Sequence, residues 1–180
     1  TQGFLDEVAS ASGKTLPALL LELLGDKRVI MSPKIPGLPD YFQPPPYDTG
    51  RAAGVIREAL KIAKWGDTPV KGRGFGYFFS HLGYFAVVAD CVSANDGSIR
   101  VSKIWVAGDI GSTIINPLNA EQQIRGSMID GMGHVISGLK VPITGGQVQV
   151  ANFDGYTLPR IDVVPPIEIS MVRTDNPPTG

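Results

Sequence analysis

The chain has 180 residues, 43% hydrophobic and 18% charged against roughly 25% charged in an average soluble domain, so it can fill a core and is not a disordered tail. Lys plus Arg (16) nearly balances Asp plus Glu (17), and a net charge of -1 is too weak a field to hold a phosphate backbone, which argues against nucleic acid as a partner. The single cysteine, Cys91, forbids an internal disulfide and a cysteine-based zinc or iron–sulfur site, and no stretch reaches the roughly 18 to 20 apolar residues of a membrane span.

The first residue is Thr and no basic and apolar leader follows it, so the N-terminus reads as cut. Phe4 to Leu24 is patterned as helix in two pieces, interrupted at Ser12-Gly13, with Pro17 suited to the first turn of the second. Leu16, Leu19, Leu20, Leu23 and Leu24 give that second piece one face to bury. Residues 31–47 carry Pro33, Pro36, Pro39 and Pro44-Pro45-Pro46, which cannot donate ladder hydrogen bonds and read as an extended surface crossing. Asp48 or Thr49 caps a helix from Arg51 that buries Ala52, Val55, Ile56, Ala59, Leu60 and Ala63 and stops at Trp65-Gly66. Residues 1–66 are thus a helical segment with a Pro-rich crossing. Residues 67–180 form an α+β part, the two expected to make one incomplete structural unit.

Gly74 to Val92, rich in Phe, Tyr and Val, reads as strand, and Cys91 within it as a small buried core residue. Asn95-Asp96-Gly97-Ser98 is a hairpin turn, because Asn, Asp and Gly tolerate positive φ, and Ile99 to Val106 is the antiparallel partner. A helix follows from Asn116-Pro117 or Asn119 to about Gly138, with Ile124, Met128, Met132, Val135, Ile136 and Leu139 apolar. Gly145-Gly146 turns a second hairpin with Gln147 to Phe153 returning, and Pro166 to Arg173 alternates as a half-exposed strand. This order argues for an α+β fold with a largely antiparallel sheet and packed helices.

The helix after Asn116 contains Gly126, Gly131, Gly133 and Gly138, each costing roughly 1 kcal/mol relative to Ala. Gly126 and Gly133 are seven apart, so close packing of the helix on a sheet is the simplest compensation. The sharper account is a flat or bulky ligand near the helix N-terminus, where free N–H groups favour an anion such as phosphate. Asp109 to Pro117 delivers the chain to that terminus, and Gln122 and Gln123 are expected in its first turn, one of them poised to donate to an oxyanion or a heterocycle edge. His134 reads as a satisfied core residue, and His81 lies in a strand-like region. Two His and one Cys, far apart, make no metal-ligand spacing. Gly72-Arg73-Gly74-Phe75-Gly76 precedes a strand rather than a helix, which excludes a phosphate loop, and Ser80-His81 has no acid at motif spacing. From the residues alone no catalytic residue is assigned.

Asp109-Ile-Gly-Ser-Thr-Ile-Ile-Asn-Pro117, Gln123-Ile-Arg-Gly126 and Gly131-Met-Gly133 resemble the second molybdopterin-binding domain of the xanthine-oxidase family. Phe4 to Lys14, Asp48-Thr-Gly-Arg51 leading to Trp65-Gly66, Gly72-Arg-Gly74, Asn152-Phe-Asp-Gly-Tyr156, Pro159-Arg160 and Pro166-Ile-Glu168 are similar to its isoquinoline 1-oxidoreductase beta-subunit, aldehyde-oxidase-like branch. The similarity runs through nearly the whole chain in the family's order.

The resemblance implies a fragment of the large subunit of a bacterial molybdenum hydroxylase, which hydroxylates an N-heterocycle or aldehyde carbon with water-derived oxygen. It implies molybdopterin, in its cytosine dinucleotide form, as cofactor of the parent enzyme, with the metal held by the pterin and not by side chains. Gln123, Gly126 and Asp109 are the carried-over cofactor-site residues: Gln123 as hydrogen-bond donor to the cofactor, Gly126 allowing close approach, and Asp109 capping or bracing the loop. The rest of the large subunit and an iron–sulfur small subunit are the implied partners. The family's catalytic Glu would follow the last strand, where this chain reaches Asn176 to Gly180, so no catalytic residue is carried over and the isolated chain is expected to be inactive and without cofactor. Arg125 stands where the family commonly has Glu, and Phe75 to Leu82 departs from the family pattern, so His81 receives no pocket role. A non-enzymatic binding or assembly domain that keeps the fold is the alternative. The compartment, periplasm or cytoplasm, stays open.

Overall fold

The computed structural model describes residues 2–66, 70–95, 97–136, 141–156 and 158–179. Helices α1 (Gln2–Ala11) and α2 (Leu16–Leu24) flank the break at Ser12-Gly13, and Pro17 enters α2 where its missing N–H costs nothing. The Pro-rich crossing is stapled at its ends: β1 (Val29–Ile30) pairs antiparallel with β2 (Tyr47–Asp48). Inside it, the Gln43 side chain accepts from the Ile35 N–H at 2.7 Å and donates to the Leu38 carbonyl at 2.6 Å. The cap of α3 (Thr49–Ile62) is Asp48, whose carboxylate accepts from the Gly50 and Arg51 N–H groups. Thr49 instead turns its hydroxyl to the Asp26 carbonyl, tying α3 to the end of α2. The helix ends at Ile62, short of the expected stop at Trp65-Gly66, and Lys64 takes a left-handed conformation.

The stretch expected as one strand is two. β3 (Arg73–Ser80) and β4 (Gly83–Ser93) form an antiparallel hairpin through His81-Leu82, both at positive φ. No Gly or Asn marks that turn, which hid it. β5 (Ile99–Asp109) returns antiparallel to β4 across the Asn95–Ser98 turn, closed by the Ala94 N–H donating to the Ser98 carbonyl at 2.8 Å; Asp96 itself lies outside the described residues. Cys91 sits beside the bulge between β4 and β5 and is half-buried rather than in the core. Helix α4 (Pro117–Val135) follows; Gly138 and Leu139, the expected helix end, lie outside the described residues. The second hairpin shrinks to β6 (Ile143–Thr144) and β7 (Gln147–Val148), and Phe153 leaves it for a short 3₁₀ turn where it is 89% exposed. The last strand, β8 (Ile167–Met171), adds to β5 in parallel, giving the order β3-β4-β5-β8.

The architecture is therefore α+β, with two antiparallel pairings and one parallel pairing in the main sheet. One face is covered by α3: Ala52, Val55, Ile56 and Ala59 pack on Tyr84, Ala86, Val88, Trp105 and Ala107. Residues from both sides of position 66 share this core. Fully burying a Val or Ile stabilises by about 1.5–3 kcal/mol, so Val55, Ile56 and Val88 are the strongest anchors. The other face is covered by α4 only along β5 and β8, where Ile124 and Met132 pack on Ile104, Val106 and Ile167. Towards β3 and β4 a trough is left between α4 and the sheet, and the candidate site lies there.

Candidate functional site

The loop that leads into α4 starts at a buried ion pair. Asp109 is 1% exposed, and the Arg51 side chain is 8% exposed. Arg51 donates from Nε to Oδ2 at 2.9 Å and from Nη2 to Oδ1 at 2.7 Å, the bidentate geometry that guanidinium and carboxylate form best. The Gly111 N–H at 2.9 Å and the Thr174 hydroxyl at 3.3 Å also donate to Oδ1. Arg51 lies 4.8 Å over the Tyr84 ring, whose hydroxyl accepts from the Asp48 N–H, so the brace continues into the cap of α3. Gly111 is held at φ +94, and a Cβ there would run into the Pro177 carbonyl oxygen, so only Gly fits. The Ser112 N–H donates to the Asn176 carbonyl and the Thr179 N–H to the Ile110 carbonyl, which stitches the loop to the segment after β8. The Thr179 hydroxyl beside Ile110 is buried and has no partner among the described residues.

At the helix start, the Asn116 side chain accepts from the Asn119 N–H at 3.1 Å and Pro117 has no N–H, so the terminus is largely satisfied by its own chain. That leaves few free N–H groups to meet a phosphate at the helix end. With Pro117 as first helical residue, Gln122 and Gln123 belong to the second turn, not the first. The exposed Gln123 carboxamide makes no hydrogen bond to another described residue, while its backbone carbonyl accepts from the Ser127 hydroxyl at 2.9 Å. It stands at the trough, a cavity of about 620 Å³ with Phe85, Val87, Ile110, Ile124 and Met128 as apolar walls. Gly76, lacking a side chain, keeps the β3 wall low. The Ser80 hydroxyl and His81 Nδ1, 2.7 Å apart, line the turn side. At the other end Gln2 of α1 bonds both the N–H and the carbonyl of Tyr77.

Gly126 lies one turn beyond Gln123 on the exposed face, and a Cβ there would meet nothing within 4 Å; Gly131 is equally open. Close packing on the sheet therefore does not account for either, whereas Gly133 is buried. His134 is exposed and 3.6 Å from Asp130, not a core residue, and Val135 is 77% exposed, whereas Ile136 next to it packs against the cluster that contains Met132. Arg125 points the opposite way from Gln123 and donates to the Ile167 carbonyl at 3.3 Å. On the other face of the sheet, burial pushes the phenols of Tyr47, Tyr77 and Tyr84 upward, so they stay neutral; Tyr47 and Tyr77 share a hydrogen bond of 2.7 Å. Among the described residues no group of three or more His, Cys, Asp or Glu gathers to hold a metal.

An apolar trough of this size, within the roughly 300–1,000 Å³ range of ligand pockets, suits a flat ring system. The free Gln123 carboxamide offers one donor and one acceptor group to a ring edge, and the bare surface at Gly126 admits a bulky group beside it. Asp109 is sealed beneath the loop and acts only by holding it. Sequence reasoning missed Ile110, Ser127 and the β3–β4 turn as parts of the site, and Arg51 as the partner of Asp109. Gly76 and Gly83 within an aromatic run were the available signal for the trough.

The profile of a family described as molybdopterin cofactor-binding domain matches residues 51–165. The chain is 26% identical over 136 residues to the isoquinoline 1-oxidoreductase subunit beta of Brevundimonas diminuta, covering 72% of this chain and 17% of that protein. It is 32% identical over 96 residues to the nicotine 6-hydroxylase large subunit of Paenarthrobacter nicotinovorans, covering 53% of this chain and 11% of that protein. Quinoline 2-oxidoreductase from Pseudomonas putida 86 superposes with a TM-score of 0.43 at 30% identity, over 51% of this chain and 12% of its own. The chain thus spans less than a fifth of the length of the relatives it matches.

Proposed function

We propose a function from one premise: this chain belongs to the molybdopterin cofactor-binding domain family, among the xanthine-oxidase-type molybdenum hydroxylases. The chain is part of the cofactor-binding large subunit of an enzyme that hydroxylates an N-heterocycle or aldehyde carbon. Its cofactor is molybdopterin in the cytosine dinucleotide form, and its partners are the rest of the large subunit and an iron–sulfur subunit. When bound, the molybdenum cofactor supplies the redox chemistry of hydroxylation.

The observation that carries this reading is the unpartnered Gln123 carboxamide at the mouth of an apolar trough. Gln123 holds an edge of the pterin by hydrogen bonds. Gly126 leaves room on the exposed face of α4. Phe85, Val87, Ile110 and Met128 exclude water from the ring faces. Asp109 and Arg51 touch no cofactor; they fix the loop that sets where α4 begins. The chain contributes binding and orientation to a site that the rest of the large subunit completes.

The test is to express the open reading frame containing this chain with its iron–sulfur partner, beside the 180-residue chain, and to measure molybdenum and acid-released pterin in each. The reading expects both in the assembled protein and neither in stoichiometric amount on the chain alone. An assembled protein without pterin would leave a non-enzymatic assembly domain as the better account.

A further inference from the structure

A second cavity, of about 340 Å³, opens between the start of β5, the C-terminal half of α4 and the segment 158–163. It is far along α4 from Gln123 and shares no lining residue with the trough. Its floor is apolar and well covered: Val101 and Met132 are buried, with Ile136 and Pro159 beside them. Its rim is charged. Arg100 enters from β5 and Arg160 from the 158–163 segment, both exposed, and neither has a carboxylate within 4.0 Å among the described residues. A guanidinium without a partner is a preformed bidentate donor for an oxyanion. Two from separate segments, over an apolar floor, form the pattern of a small-molecule site: a hydrophobic body pocket with a few charged groups that fix orientation.

We propose that this cavity binds a small amphipathic monoanion, a carboxylate carried on a flat aromatic or short aliphatic body. Asp162 lines the same cavity, so the lining carries two guanidiniums and one carboxylate, a net single positive charge that matches a monoanion better than a dianion. The orientation follows from α4. Its C-terminal end carries the negative pole of the helix dipole, so the apolar body lies toward Met132 and Ile136, and the carboxylate lies on the far side between Arg100 and Arg160. The site is independent of the molybdopterin reading, because it uses neither Gln123 nor the loop from Asp109.

The experiment titrates the 180-residue chain with 2-naphthoate, 2-naphthalenemethanol and 2-naphthyl phosphate by calorimetry, and repeats it with Arg100→Gln/Arg160→Gln. Both arginines are exposed, so the variant keeps its fold, which circular dichroism verifies. Saturable binding of 2-naphthoate is expected, weakened at least about tenfold both by removing the ligand's charge and by removing the two guanidiniums. A second variant, Ile136→Asp, keeps both arginines and puts a carboxylate beside the body pocket; it should weaken 2-naphthoate by a similar factor. No saturable binding below about 10 mM, or binding by the double variant within about twofold of the parent, would overturn the site. Equal or tighter binding of the phosphate would overturn the assignment to a monoanion.

Discussion

Replacing Asp109 by Ala removes the acceptor around which the entry to α4 is built. Arg51 would keep its charge in a nearly closed environment, and the Gly111 N–H and Thr174 hydroxyl would lose their shared partner. Removing one member of a buried ion pair costs about 3–5 kcal/mol, chiefly because the other charge is stranded. A domain of ordinary stability, about 5–15 kcal/mol, would lose much of its margin. Urea unfolding at pH 7 and 25 °C, followed by circular dichroism, should show that loss. Amide exchange at Gly111 and Ser112 should accelerate with it, because the loop is no longer tied to Asn176. The double variant Arg51→Met/Asp109→Leu removes both charges and should recover at least about half of the loss, since an apolar pair of similar volume often matches a buried ion pair. A cost below about 1 kcal/mol for Asp109→Ala, or a double variant no more stable than the single one, would refute the brace.

Gly126→Ala should stabilise the 180-residue chain by about 0.5–1 kcal/mol, because the added methyl meets nothing within 4 Å and the helix gains propensity; thermal melting checks it. Replacing His81-Leu82 by Asn-Gly should raise the melting temperature, since the native pair sits at φ 49 and 65, a conformation that costs roughly 1–2 kcal/mol for an ordinary residue. The Arg73 guanidinium, hydrogen-bonded to Asp90, holds that carboxyl below its usual range, and hydrogen bonds from Lys61 and then Ser170 do the same for Glu58. Because both values are depressed in the folded state, their contribution is present above the unfolded values near 3.9 and 4.3 and is lost as the pH falls through the folded ones. Urea midpoints measured from pH 5 to pH 2 should therefore fall, and fall less steeply in Asp90→Asn.

Periodicity made most of the fold legible. The leucines of α2, the hairpin turn ahead of Ile99 to Val106 and the Pro-rich crossing each carry a local signal that the tertiary structure keeps. The β3–β4 turn was not legible, because its positive φ values fall on His81 and Leu82, and only tertiary pairing of the two strands compensates that conformation. The parallel docking of β8 on β5 has no local signature either. In α4 the glycines were visible and their reason was not: Gly133 is buried, whereas Gly126 and Gly131 have open space beside them. His134 illustrates the same limit: it stands among apolar residues in the sequence, yet it and Val135 are exposed while Met132 and Ile136 pack on the core. Asp109 was legible as a brace, but its partner Arg51 lies 58 positions earlier, and such pairing follows from topology rather than from spacing.

The central claim is that Gln123 holds the pterin from the mouth of the trough. The direct measurement is acid-released pterin and molybdenum per large subunit in the assembled protein, compared between the parent sequence and Gln123→Ala, with folding verified by thermal melting. Since the Gln123 side chain bonds no other described residue, and its backbone bond from Ser127 survives the substitution, the melting temperature should be unchanged while pterin and molybdenum fall together by at least about tenfold, the scale of a lost set of hydrogen bonds to a ring edge. Full pterin and molybdenum content in the Gln123→Ala protein would contradict the account.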